Sequence, residues 1–304
     1  MTLPLAVAWA LIVWLLNGLW QLQLWPQMAC YAASVYLLIE LSNQNALLRI
    51  RSRMVTSMFI LLSATSPFLF SQFTSGFVQL CFVIALLPLF QAYQQPQATG
   101  TLFYAFLSIS VASLARVEVL CYVPLLWLLT ATQLHALSWR SWLASLIGLL
   151  TPYWLVFFWL LSPFGMTEGG GIDLTPLADH FTRIADLQPS AMRLTLPHVL
   201  SIAATVLLAT AGALHFWQYS YEDKIRIRLL YGFFSVMTAA SLLMAVLMPS
   251  LYDVLMPIAF VTASPLSAHV MTFTSSRLSN ILFLLAIVLL MAIAVVNTLQ
   301  PPLG

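Results

Sequence analysis

The run Ile281–Val296 contains no polar side chain, and Ile202–Ala211 carries no charge. Runs of this kind recur along most of the chain. Backbone inside them must satisfy its own N–H and C=O groups, which only a helix does within one segment. A membrane barrel would alternate apolar and polar residues to keep its lumen face polar. These runs are continuous, so helices are expected. Composition names the solvent: 62% of residues are hydrophobic, 7% are charged and the mean hydropathy is +0.96. Soluble domains carry about 25% charged residues, so this chain lacks the polar surface to face water and is expected in lipid.

Eleven spans are predicted, at 3–22, 25–41, 54–70, 76–92, 101–114, 119–134, 142–161, 196–217, 229–247, 254–272 and 278–299. Several fall short of the roughly 20 residues that cross a hydrocarbon core, so tilted, half or re-entrant segments are expected among them. The fold class is an all-α, polytopic transmembrane bundle forming one membrane domain over 1–304. The first basic residue is Arg49, so the opening segment lacks the charged flank of a cleavable signal and is expected to be a retained helix.

Segment 101–134 reads either as one long helix or as a hairpin turning at 115–118. Lysine and arginine translocate poorly, and their distribution decides. With a hairpin, Arg49, Arg51, Arg53, Arg140, Lys224, Arg226, Arg228 and Arg277 share one face, against Arg116, Arg183 and Arg193 on the other. With one helix the loops divide evenly and Arg116 falls at mid-membrane, where a charge is costly. The hairpin is therefore expected. It places the N-terminus in the cytoplasm, the C-terminus outside and the chain in the inner membrane. Loops 42–53, 135–140 and 219–228 are then cytoplasmic.

The long outer loop, 162–193, holds Gly169, Gly170 and Gly171, then Thr175 and Pro176, which suit a helix start. Leu177, Phe181 and Ile184 follow at helical spacing, with Asp179 and Arg183 four apart. An amphipathic helix lying in the interface is expected there.

Few residues can carry chemistry. Arg116 and Glu118 interrupt an apolar hairpin. Residues two apart on a helix do not face each other, so they point to different partners or share a non-helical turn. Lining an outward cavity, Arg116 would bind phosphate and Glu118 would act as a base; the plainer alternative is a polar hairpin tip. The outer loop adds Glu168, Asp173, Asp179 and Asp186, with His180 adjacent, and Asp253 precedes the tenth span. Outward carboxylates suit a general base or a divalent-cation ligand. The candidate catalytic residues are Glu118, Asp173 and Asp179. The candidate substrate-binding residues are Arg116, His180 and His269.

His269 lies in an apolar span, four residues after Pro265. A histidine at depth is costly unless it is hydrogen-bonded or wet, and a structural role in a kinked helix fits it as well as a functional one. Glu40 is expected to pair with Arg49 at the interface. Cys30, Cys81 and Cys121 lie in apolar runs without CxxC spacing and read as small buried side chains. No phosphate-binding glycine loop, HExxH or GxSxG occurs, and no resident metal or cofactor is implied. The spans hold few charges, which argues against a carrier built on a relay of buried carboxylates. A net charge of +2 gives no reason to expect nucleic acid.

The stretch Ala112-Ser113-Leu114-Ala115-Arg116-Val117-Glu118-Val119-Leu120 resembles the hairpin turn of GT-C type membrane glycosyltransferases and polymerases. Ser138–Trp142 with Gly148–Tyr153 resembles an uncharacterised family of polytopic inner-membrane proteins of Gram-negative bacteria. The first resemblance implies transfer from a polyprenyl-linked or lipid-linked sugar at the outer face, with a divalent cation if the chain is a transferase. The acids that such enzymes carry in a large first outer loop have no counterpart in the uncharged turn 22–27, so only Arg116 and Glu118 carry over. Two further readings stand beside it: a scaffold that assembles with an envelope protein partner, and a transporter or flippase. All three place membrane lipids against the chain.

Overall fold

The computed structural model describes residues 2–49, 52–161, 178–182, 194–273 and 277–300. Among these the regular structure is helical and no strand occurs. The helices are α1 (Thr2–Leu16), α2 (Trp25–Asn45), α3 (Met54–Ala64), α4 (Phe73–Gln91), α5 (Thr99–Ala115), α6 (Tyr122–Thr132), α7 (Trp139–Leu161), α8 (Leu196–Tyr219), α9 (Ile225–Leu247), α10 (Tyr252–Phe273) and α11 (Arg277–Leu299). Each predicted span overlaps one of them, though 3–22 and 54–70 run past the ends of α1 and α3. Among the described residues five helical segments are long and apolar enough to cross a membrane: Phe73–Gln91, Leu196–Tyr219, Ile225–Leu247, Pro249–Phe273 and Asn280–Leu299. Of the expected interfacial helix, residues 178–182 are described and are helical. Its glycine run, its Thr175-Pro176 start and its Arg183 pairings lie outside the described residues.

The helices gather into two compact units, Met1–Val83 with Ala191–Gly304, and Ile84–Ser190. In the first unit α3 and α10 form the centre. All of α3 is buried, as is every residue of α10 from Val254 to His269. The most apolar window of α11 is only 22% buried, against 89% for that of α10. So α11 is largely exposed and α10 is enclosed.

Two breaks shape this centre. Proline disfavours helical backbone in the residue before it, and Ser66, before Pro67, leaves the helix at φ −120°, ψ 66°. The expected span 54–70 is therefore α3 followed by a 3-10 turn, Pro67–Ser71. A carbonyl stranded in apolar surroundings must find a donor. That of Thr65 accepts from Ser201 Oγ at 2.8 Å and Asn297 Nδ2 at 2.7 Å. In α10, Pro257 and Pro265 cannot donate to the carbonyls four residues back. The Asp253 carbonyl instead accepts from Ser75 Oγ at 2.8 Å, and the Val261 carbonyl from Ser264 Oγ at 2.9 Å. Hydroxyls thus replace the backbone donors that the prolines remove.

Small residues bring helices close. A Cβ on Gly212 of α8 would lie 2.1 Å from the Leu266 carbonyl oxygen of α10, and one on Gly148 of α7 would lie 2.5 Å from that of Phe103 in α5. Backbones at that distance admit only glycine.

The second unit packs α5 along α7. Ser110 Oγ donates to the Leu149 carbonyl, and Ser113 meets Tyr153 Oη at 2.6 Å. Both contact positions rise along their helices, so α5 and α7 run parallel. Phe106 and Trp127 lie at about equal distances either side of Arg116, and their rings are 6.1 Å apart. The chain therefore reverses between α5 and α6, with Arg116 in extended backbone at φ −144°, ψ 100°.

Candidate functional site

The second unit holds most of the residues singled out from sequence. Arg116 Nε meets Glu118 Oε2 at 3.3 Å, on the non-helical turn that lets residues two apart face each other. Each side chain is largely buried, 20% and 10% exposed, so each partly neutralises the other. His180 Nε2 lies 2.9 Å from the Ser113 carbonyl oxygen. Asp179 is exposed. Asp173, Glu168 and Asp186 lie outside the described residues. Arg116 and Glu118 are thus brought together, His180 is tied to the end of α5, and Asp179 is not drawn to them by any described contact.

His269 belongs to the first unit and stands in a richer setting. The C-terminal end of α2, the Arg49 segment, the C-terminal ends of α8 and α10 and the N-terminal end of α9 meet there. Arg49 Nε donates to Asp223 Oδ1 at 2.6 Å. Asp223 Oδ2 faces His269 Nε2 at 3.6 Å, just beyond a direct hydrogen bond. His269 Nδ1 meets His215 Nδ1 at 3.1 Å. Asp223 is 6% exposed and His269 1%, while His215 is half-buried at the rim. Besides that of His215, three ring centroids stand close to that of His269: Phe273 at 4.8 Å, Tyr231 at 5.2 Å and Phe216 at 5.4 Å. The Arg49 guanidinium lies over Phe273, 5.1 Å from its centroid. Beside this chain Arg226 Nη2 donates to Asn45 Oδ1 at 2.8 Å, and Tyr231 Oη donates to the Leu47 carbonyl at 3.2 Å.

The partners set the tautomers. Two ring nitrogens 3.1 Å apart share one proton between them. The nitrogen facing a carboxylate is best protonated, so His269 carries its hydrogen on Nε2 and accepts through Nδ1 from His215 Nδ1–H. That leaves His215 Nε2 as the accepting end of the chain. The order is Arg49, Asp223, His269, His215, from salt bridge to rim. The two nitrogens of His269 face different neighbours, which suits passing a proton and not holding one ion. Among the described residues no three metal-ligating side chains converge.

Asp223 and His215 are absent from the sequence reading. Asp223 stands beside Lys224 in a basic loop, which reads as solvated, and Glu40 is the acid nearest Arg49 along the chain. Glu40 instead accepts from Gln44 Nε2 at 2.8 Å. One signal was present: five residues separate α8 from α9, so Asp223 cannot stray far from the helix ends.

The opposite end of the first unit gathers neutral polar groups. Ser66 Oγ meets Tyr252 Oη at 2.9 Å, and the ring of Tyr252 lies edge-on to His198 at 4.4 Å. Asn297, fully buried, donates through Nδ2 to the Thr65 and Pro197 carbonyls, while its Oδ1 has no partner among the described residues. Next to this end lies a cavity of about 20 Å³, lined partly by Gln27, Tyr31, Ser63 and Gln79, with room for about one water.

Neither a family model, nor a curated protein, nor a solved structure matches this chain.

Proposed function

We propose that the protein is a proton-coupled carrier of the inner membrane, crossing it eleven times with its N-terminus in the cytoplasm and its C-terminus outside. The observation that carries this reading is the chain Arg49–Asp223–His269–His215. Ionisable groups buried at the ends of membrane helices are costly and mark proton or substrate paths. Here each step is 3.6 Å or less. A proton taken up on His215 Nε2 makes that ring an imidazolium. It passes its Nδ1 proton to His269 Nδ1. His269 then releases its Nε2 proton to Asp223 Oδ2, which loses its charge and slackens its hold on Arg49. Protonation at the rim is thereby converted into a loosened contact between the α2–α3 segment and the α8–α9 loop.

The broken centre supports the same reading. Carriers place interrupted helices and freed carbonyls around their paths, and α3 breaks at Thr65–Ser66 where Ser201, Asn297 and Tyr252 gather. From Tyr252 to His269, α10 covers about 25 Å at 1.5 Å per residue, joining the two polar ends. In the crossing count α3 and the turn Pro67–Ser71 form one span. This reading is preferred to a transferase because Glu118 is engaged by Arg116 and Asp179 lies exposed.

The test is a pH jump from about pH 8 to about pH 4.5, through the ordinary histidine range and well below it, applied to proteoliposomes on a solid-supported membrane. A transient current is expected from the wild type as the chain takes up a proton, and its loss from His269→Gln and Asp223→Asn. A transient of equal size in both variants overturns the reading.

A further inference from the structure

Two surface features of the first unit adjoin each other. The first is a polar cleft of about 690 Å³ lined by Ser42, Asn43, Arg49, Ser52 and Arg53. No acidic residue lines it among the described residues. Asp223 stands behind Arg49, whereas Arg53 is exposed and has no acidic partner among the described residues. The cleft therefore keeps a net positive charge. It also sits at the start of α3, where Ser52 Oγ accepts from the Met54 backbone N–H at 3.2 Å. The unsatisfied N–H groups of a helix start add to its attraction for an anion.

The second feature is an apolar groove of about 480 Å³ between α1, α3 and α11, lined by Leu5, Trp9, Ile12, Met58 and Phe283 among others. Arg53 lines the cleft and Met54, the next residue, lines the groove. Thr2 Oγ1 and Ser57 Oγ, 3.3 Å apart, fix the start of α1 beside the start of α3. From Thr2 to Ile12 the groove follows α1 for about 15 Å at 1.5 Å per residue, the depth of one leaflet of a hydrocarbon core about 30 Å thick.

We propose that this pair of features is a binding site for one anionic glycerophospholipid. The phosphate sits in the cleft between Arg53 and Arg49, and one acyl chain lies in the groove. The complementarity is twofold: a cationic polar pocket at the start of α3, and from its edge a chain-lined slot one leaflet deep. A soluble anion would fill only the cleft, and an uncharged lipid only the groove. The site shares Arg49 with the histidine chain, but Arg53 and the groove lie outside it, so lipid binding and proton uptake are tested separately.

Delipidated full-length protein, titrated with phosphatidylglycerol or phosphatidylcholine and read by native mass spectrometry, tests this. A retained one-to-one phosphatidylglycerol adduct is expected, well above that for phosphatidylcholine. Arg53→Gln lowers phosphatidylglycerol occupancy about fivefold, the worth of one basic residue near an anionic headgroup, and leaves phosphatidylcholine unchanged. Ala8→Phe, which fills the groove from an exposed position on α1, lowers both. Both variants should melt with the wild type, so a change in occupancy is not a folding defect. Equal binding of the two lipids, an unchanged adduct in Arg53→Gln, or displacement by inorganic phosphate at the concentration of lipid each overturns the proposal.

Discussion

Asp223 supplies a carboxylate to its cluster, and it is shared. One oxygen accepts from Arg49 and the other faces His269. Asp223→Asn keeps the shape and removes the charge. Breaking a buried ion pair costs about 3–5 kcal/mol, but the Arg49 side chain is 32% exposed and water recovers part of that. A loss of about 2 kcal/mol is expected, toward the low end for a pair that is only partly buried. Thermal unfolding in detergent reads it, and a melt equal to the wild type would show that Arg49 does not need Asp223. His269 was legible in the sequence because a histidine inside an apolar run stands out. Asp223 was not, because its burial comes from helices distant in the chain closing over a short loop. Arg116 and Glu118 were legible as a polar interruption. Their pairing needed the extended backbone of Arg116, which spacing alone leaves open.

At the scale of the helices, hydropathy located every long apolar element but missed the break in α3. Thr65 and Ser66 are mild on a hydropathy average, so a span drawn over 54–70 passes through them. The physical signal was Pro67, whose effect falls on the residue before it. The freed carbonyl behind Pro265 was legible, but its donor, Ser264, is known only from the side-chain contact. The crossing of α8 and α10 was illegible, since one glycine in an apolar helix does not name its neighbour. Gly212→Ala is expected to force that crossing apart, because the new Cβ would meet backbone at 2.1 Å and not a movable side chain. Overpacking of this kind costs about 1–3 kcal/mol. The same change at Gly100, where a Cβ meets nothing within 4 Å, should leave the melting temperature within about a degree, as an open site adds little. Similar melts for the two variants would contradict the close approach.

For the whole molecule, the charge distribution led to a hairpin at Arg116, and the contact of Phe106 with Trp127 agrees with a chain reversal there. The loops predicted to share a side also meet in the first unit, as Asn45 with Arg226 and Arg49 with Asp223. The division into two units could not be read from the sequence, because every helix has the same apolar character and only packing separates them. The topology predicts that cysteines placed at Gln44 and Ser220 react with an impermeant maleimide from one side of the membrane. A cysteine at Gln72 should react from the other. The three native cysteines are replaced first, since none is paired. Labelling of all three positions from one side would rule out the proposed orientation.

The burial of α10 has a consequence for how the bilayer acts on this protein. Lipid thickness works on helices through the apolar surface they show it, by tilting or stretching them to relieve mismatch. Because α11 is exposed and α10 from Val254 to His269 is not, a thinner or thicker membrane would strain the outer helices directly. The proline-bearing centre receives that strain only through its neighbours. The element joining the two polar ends is thereby insulated from changes in membrane composition, as an axle is from the load on a wheel's rim.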